Sequence, residues 1–434
     1  MASPYAYSTF GDLKAALGEH LSDPASVYWT DVEKSLLLNQ ALREFNSISR
    51  IFRDRGTFAT VANQPFYDLT TSLKNGAGEL FLGYTVTSAQ LLQAAKYLCI
   101  EPSPDNSVDF TDGFSLTDFN NSVTQRRNQF LLETGIAISQ PTAQVVASGE
   151  GRITVADDSV IDIRRAAWTD LDGNVTQLLR QDDFASFAFS PSWPQNSGTP
   201  QSYSIYPDPL LTLQLTPPPV ANGTLTLQTI SSGSLPDDFM PYILWGVLSD
   251  MLGSPGPMQD SLRAEYAEGR FKEGVLVGKQ FATVLTAYIN GVPVSVESVF
   301  NFDTFNPGWQ VAGAPSQVGL LGSNLAAVAP VADGVYSVML DCVRRAPQLV
   351  NDTDPVPIGR EYLDTIIDYA EHLAVFKQGG VEFQSTLPQY DAFVKTAMAY
   401  NNRMGVQNIY FETMVDKANQ QETQLRLRSD AVSA

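Results

Sequence analysis

The chain has 434 residues, with 47 acidic against 27 basic side chains and a net charge of −20. Its hydrophobic content of 44% and charged content of 17% are those of a globular protein with a substantial core, which excludes collagenous and broadly disordered classes. The charge argues against a DNA-grasping surface, because nonspecific affinity for nucleic acid comes from Lys and Arg neutralising phosphates; it suits a protein that stays soluble at high local concentration.

Thr9 is placed to cap a short helix over Gly11 to Gly18, and Ser22-Asp23-Pro24 marks a turn. Thr30-Asp-Val-Glu33 reads as a capping box opening a long helix, with Leu37, Leu38, Ala41, Leu42, Phe45 and Ile48 inward and Arg43, Arg50 and Arg53 toward its far half. Thr57 to Val61 and Phe66 to Leu69 alternate as strands do, broken by Asn75-Gly76. Ser88 can cap a helix ended by Glu101-Pro102, and Ser115 one that runs to Glu133 and stops at Gly135.

Between Gly135 and Ile230 the period is two. Strands are predicted at Ile153 to Val155, Val160 to Trp168, Tyr203 to Tyr206, Leu211 to Leu215 and Leu225 to Ile230, with Gly- and Pro-rich turns between them. Pro241 to Gly253 is apolar on nearly every side and predicts a buried helix, with Pro241 in its first turn and a left-handed Gly253 stopping it. The following stretch is amphipathic: Ala264, Ala267, Phe271, Val275 and Gly278 face inward, and Glu268 and Lys272 form an i,i+4 pair.

From Gly291 to Ala346 no clear period is visible, yet the stretch is too apolar for a solvated linker. It predicts an extended arm that orders against another subunit. Helices resume from Tyr362 to Lys377, stop at Gly379-Gly380, and return from Pro388 to Arg403. The polar segment 416–434 predicts a flexible tail. The fold class expected is α+β: a helical bundle (1–56, 84–135, 236–290) with an inserted antiparallel β-rich domain (57–83, 136–235), an extended arm (291–358) and a C-terminal helical hairpin (359–415).

Catalytic constellations are poor. His20 and His372 are the only histidines; His20 at a helix end suits the dipole, and His372 lies within a helix. Asp157-Asp158, Asp162, Asp170-Asp172 and Asp182-Asp183 could supply paired carboxylates, but they flank strands at turns, where Asp bonds to local backbone. Asp170-Leu-Asp-Gly-Asn174 is a fragment of a calcium loop without its distal Glu. Neither a phosphate loop nor a dinucleotide fingerprint occurs. Cys99 and Cys342 stand alone, which fits buried thiols in a reducing compartment. No enzyme activity, cofactor or metal is expected. The sequence also lacks a secretory signal and a membrane-length apolar run, so a soluble protein made in the cytoplasm is expected.

Tyr28 to Phe45, Gln125-Arg-Arg-Asn-Gln-Phe-Leu-Leu-Glu-Thr134 and Asp260 to Phe271, with Tyr362 to Asn402 at the far end, together resemble the head-to-tail adaptor (connector, neck) proteins of tailed bacteriophages. The resemblance implies a virion protein of the head-tail junction, self-assembled as a ring of typically twelve subunits. The ring would sit beneath the portal, carry a tail or tail-tube protein and pass DNA through its lumen without specific binding. This chain is longer than the smaller adaptors. Its candidate interface residues are Arg126, Arg127, Arg263, Arg270, Lys272, Phe302, Phe305 and Trp309. The alternative is a tail or receptor-binding protein whose β-domain holds carbohydrate on Trp168 and Trp193, beside Asp170 and Asp182.

Overall fold

The structure is a computed structural model, described over residues 8–74, 87–99, 115–182, 197–206, 211–232, 235–256, 259–281 and 283–406. The Asn75-Gly76 turn, the Glu101-Pro102 stop, Asp183, Trp193 and the 416–434 tail lie outside these residues. In chain order the helices are α1 (Phe10–His20), α2 (Asp31–Ser49), α3 (Leu69–Ser72), α4 (Ser88–Leu98), α5 (Leu116–Thr134) and α6 (Met240–Gly253). They continue as α7 (Ser261–Gln280), α8 (Val299–Phe305), α9 (Arg360–Phe376), α10 (Gly380–Ser385) and α11 (Leu387–Val406). The α+β class is as expected. The chain divides into two compact units: residues 1–51 with 348–434, and residues 52–347.

The first unit is helical and sequence-discontinuous: α2 packs on α9 and α11, and α1 on α9. Thr9 caps α1 in a reciprocal box with Asp12. Thr30 caps α2 by accepting from the Glu33 N–H, but the Glu33 carboxylate does not return to the cap; it pairs with Lys377 Nζ at 3.2 Å. Both side chains are nearly fully buried, at 2% and 3% exposed. A buried ammonium needs a partner more than an exposed cap N–H does. Glu44, also buried, accepts from the Tyr369 hydroxyl at 2.6 Å and from Gln40 Nε2 at 3.0 Å. His372 is buried against Phe383 and Tyr369. The Thr386 hydroxyl donates to the Phe383 carbonyl, so its oxygen accepts from His372 Nδ1, which therefore carries the hydrogen.

The second unit holds two seven-stranded sheets. Sheet one, in the order β1-β16-β10-β11-β13-β14-β2, uses β1 (Arg53–Ala59), β2 (Phe66–Asp68), β10 (Val284–Ile289), β11 (Val292–Ser298), β13 (Gln317–Leu321), β14 (Leu325–Ala329) and β16 (Ser337–Val343). Its edge strands meet through Phe58 and Tyr67, with ring centroids 4.9 Å apart, so the sheet curls over its core. Sheet two, in the order β3-β9-β5-β6-β7-β8-β4, uses β3 (Thr142–Val146), β4 (Arg152–Thr154), β5 (Val160–Thr169), β6 (Val175–Arg180), β7 (Ser202–Tyr206), β8 (Thr212–Thr216) and β9 (Gly223–Ser231). Two short strands, β12 (Ala312–Gly313) and β15 (Val331–Ala332), pair in parallel.

Three expectations are corrected here. The 291–358 stretch is not an extended arm: most of it supplies α8 and β11 to β16, folded within its own unit. Its missing period has a physical cause. Ala326 and Val328 of β14 face the core of sheet one, while Leu325, Ala327 and Ala329 face a second cluster with Phe302 and Trp309, and a strand buried on both faces shows no alternation. The expected β-rich insertion is two sheets, since β1 and β2 pair with strands more than 200 positions away rather than with 136–235. Residues 1–51 belong with 348–434, not in one bundle with α5 to α7.

The hairpin of α6 and α7 is as the sequence predicts, and buries about 1.5–3 kcal/mol for each of Ile243, Leu244, Val247 and Leu248. Its glycines allow the close approach: a Cβ on Gly274 would lie 2.2 Å from the Tyr242 ring, and one on Gly246 2.8 Å from Phe271. Gly253 ends α6 without a left-handed backbone; the cap is Ser254 in extended conformation.

Candidate interaction surface

Beside that hairpin, α5 runs from the Ser115 cap to left-handed Gly135 and carries Arg126 against α6 and α7. Arg126 Nε donates to Asp250 Oδ2 at 2.9 Å, its Nη2 bonds Asp250 Oδ1 and lies 3.0 Å from Glu268 Oε2, and the guanidinium sits over the Phe271 ring at 5.0 Å. The Asp250 bond, opposed by burial, holds the Arg126 pKa above its ordinary value. Glu268 also faces Lys272 Nζ at 3.5 Å, so one carboxylate gathers Arg126 and Lys272. Arg270 is 2% exposed, over Trp245 at 5.3 Å and Tyr266 at 5.9 Å, with Glu273 at 3.3 Å. Arg263 Nε donates to the α7 cap Asp260 at 2.7 Å.

These contacts sort the eight predicted residues. Arg126, Arg263 and Arg270 are engaged inside the chain, because isolated buried cations must find carboxylates or rings. Phe302 and Trp309 are core residues, their rings 5.7 Å apart. Phe305, three positions beyond Phe302 on α8, is 82% exposed, and Lys272 is 70% exposed. Arg127 is half-buried with no carboxylate partner among the described residues, and burial pushes its pKa down. Arg127, Lys272 and Phe305 are therefore the predicted residues still open to a partner.

Sequence reasoning missed the pair that joins the two sheets. Arg165 of β5 donates through Nε and Nη2 to both carboxylate oxygens of Asp303 on α8, at 2.8 and 2.9 Å. Trp309 Nε1 donates to Asp303 Oδ1 at 2.9 Å, and the guanidinium lies over Phe66 and Trp309. The adjacent Arg164 and Arg165 of β5 were the available signal, since strand alternation turns one of two neighbours inward and a buried Arg needs a partner.

The remaining sites behave as local structure. Asp170 accepts from the N–H of Asp172 and Asn174 and from the Asn174 amide, which lowers its pKa, the Asn174 side chain leading. Trp168 is 3% exposed in the core of sheet two, wedged so that a Cβ on Gly223 would fall 2.2 Å from its ring, and offers no sugar-stacking face. His20 Nδ1 lies 3.2 Å from Glu371 and 3.6 Å from Asp368 at the end of α1, the dipole-satisfying position expected of it.

Residues 86–277 match the family model of the SU10 adaptor protein. The match begins at α4 and ends within α7, taking in sheet two and the Arg126 cluster, so over this stretch the chain is similar to a phage adaptor-type family. It leaves out the first unit and every strand of sheet one. No curated protein matches the chain. Among the described residues no helix is long and apolar enough to cross a membrane.

Proposed function

We propose that this chain is a structural virion protein that forms a ring, of twelve copies as the resemblance implies, joining the portal of a tailed-phage head to the tail. The observation that carries the reading is the adaptor match over residues 86–277, which falls on a rigid scaffold: three helices tied by Arg126 and held at close range by Gly246 and Gly274. A role in joining other proteins, without catalysis, suits such a scaffold. The net charge of −20 supports a lumen that repels phosphates and lets DNA pass without binding. In this reading Arg127, Lys272 and Phe305 contact the neighbouring copy, the portal or the tail protein. With Trp168 in the core, none of the described residues favours the carbohydrate-binding alternative.

Electron microscopy of the purified chain, alone and mixed with the portal protein of the same phage, tests the proposal. Closed rings that cap the portal are expected; a chain that stays monomeric and binds neither portal nor tail protein refutes it.

A further inference from the structure

Sheets expose unpaired backbone N–H and C=O groups at their edges, and proteins protect such edges with charge, shortness or cover. Three of the four edges of the two large sheets carry that protection. β1 begins Arg53-Asp54-Arg55 and its Thr57 N–H is taken by the Lys74 carbonyl. β2 and β4 have three residues each, and β4 carries Arg152. Among the described residues the fourth, β3, has none of it. Its five residues pair with β9 on one side and with no other strand among the described residues, and no charge occurs between Glu133 and Glu150. The exposed face is apolar and small: Val145 is 79% exposed, Ala143 is exposed beside it, and Thr224 and Thr226 of uncharged β9 lie opposite them.

We infer that β3 is the edge at which a neighbouring copy of this chain adds an extended strand. The chemistry of the edge dictates the form of the occupant, since a row of backbone donors and acceptors is satisfied by another strand. Its neutrality dictates the identity. Two copies each carrying −20 repel, so a contact between them must lie where neither meets the other's charge, whereas a basic partner would be better served by an acidic edge. In a ring the contact is head-to-tail, which closes without leaving the edge free. The inference rests on the self-assembly part of the proposed function and names the surface that performs it.

The test is the double variant A143K/V145K, which places two cations on the exposed face of β3 without touching buried Val146. Mass photometry and electron microscopy read assembly; circular dichroism and thermal melting read the fold. The expected result is a folded variant that stays monomeric at concentrations about tenfold above those at which the wild type forms rings, while V292K, at an exposed position on sheet one, assembles normally. Should the double variant melt early, the single V145K variant carries the same test. Rings from a folded variant would overturn the role of β3 and leave the ring proposal standing. A monomeric wild type would overturn both. Irregular wild-type aggregates cured by the lysines would show an unprotected edge only, and overturn the inference.

Discussion

Replacing Asp303 by Ala should be among the most damaging single changes in the second unit. Arg165 and Asp303 have side chains 3% and 10% exposed and share two hydrogen bonds, so deleting the carboxylate strands a buried guanidinium. Breaking such a pair costs about 3–5 kcal/mol. Trp309 Nε1 loses its acceptor as well, adding about 1 kcal/mol. What remains for Arg165 is a 3.3 Å bond to Gln228 and the Phe66 and Trp309 faces, too little to replace a carboxylate. The total is a large share of the roughly 5–15 kcal/mol that a folded domain holds. Urea unfolding followed by tryptophan fluorescence and circular dichroism measures it. The double variant R165M/D303A should recover most of the loss, because an apolar side chain of similar length leaves no charge unpaired. A D303A cost below about 1 kcal/mol, or strictly additive single and double variants, would refute the assignment of Arg165-Asp303 as the tie between the sheets.

Two further predictions follow from packing and titration. Gly274→Ala should destabilise by about 1–3 kcal/mol or more, since its Cβ would sit 2.2 Å from Tyr242, whereas Gly269→Ala on the open face of α7, with nothing within 4 Å, should stabilise by about 0.5–1 kcal/mol; thermal melts of the pair, moving in opposite directions, check both. Asp341 is held below the ordinary aspartate value of 3.8, first by the Arg55 hydrogen bond and also by Thr286, against burial. A depressed folded pKa contributes stability above 3.8 that is lost as pH falls through the lower folded value, so D341N should flatten the acid limb of a stability-pH profile below about pH 4, and an unchanged limb would show that Asp341 does not contribute to it.

Local signals were legible and long-range ones were not. The Thr9 and Ser115 caps, the Gly135 stop, and the inward Ala264, Ala267, Phe271, Val275 and Gly278 stand where the pattern places them, because capping and helical period are written within a few residues. The α4 cap is Thr87 with Gln90, one position before Ser88. Asn290-Gly291, where the expected bundle met the expected arm, is a two-residue hairpin turn with both residues at positive φ, linking β10 to β11. Asn-Gly between apolar runs is the strongest short hairpin signal, so this joint was readable. The pairing of β1 with β16 was not, since nothing local in Arg53 to Ala59 names a partner near residue 340. At the candidate surface, residue type was a poor guide: Phe302 and Phe305 share a chemistry and, at i and i+3, a face of α8, yet Phe302 is in the core while Phe305, the last residue of the helix, is in water.

The helical unit, built from two segments on either side of the second unit in sequence, imposes an order on synthesis. α1 and α2 leave the ribosome first, but α9 and α11, against which Phe45 and the rest of the α2 face pack, follow roughly 300 residues later. At about 5–20 residues per second that is a wait on the order of 15–60 s, during which the second unit can fold to completion while the amino-terminal helices keep their apolar faces open. A chain broken off before α9 never closes this unit and presents those faces to chaperones and proteases. Closure of the helical unit thus marks a copy translated through α9 and α11.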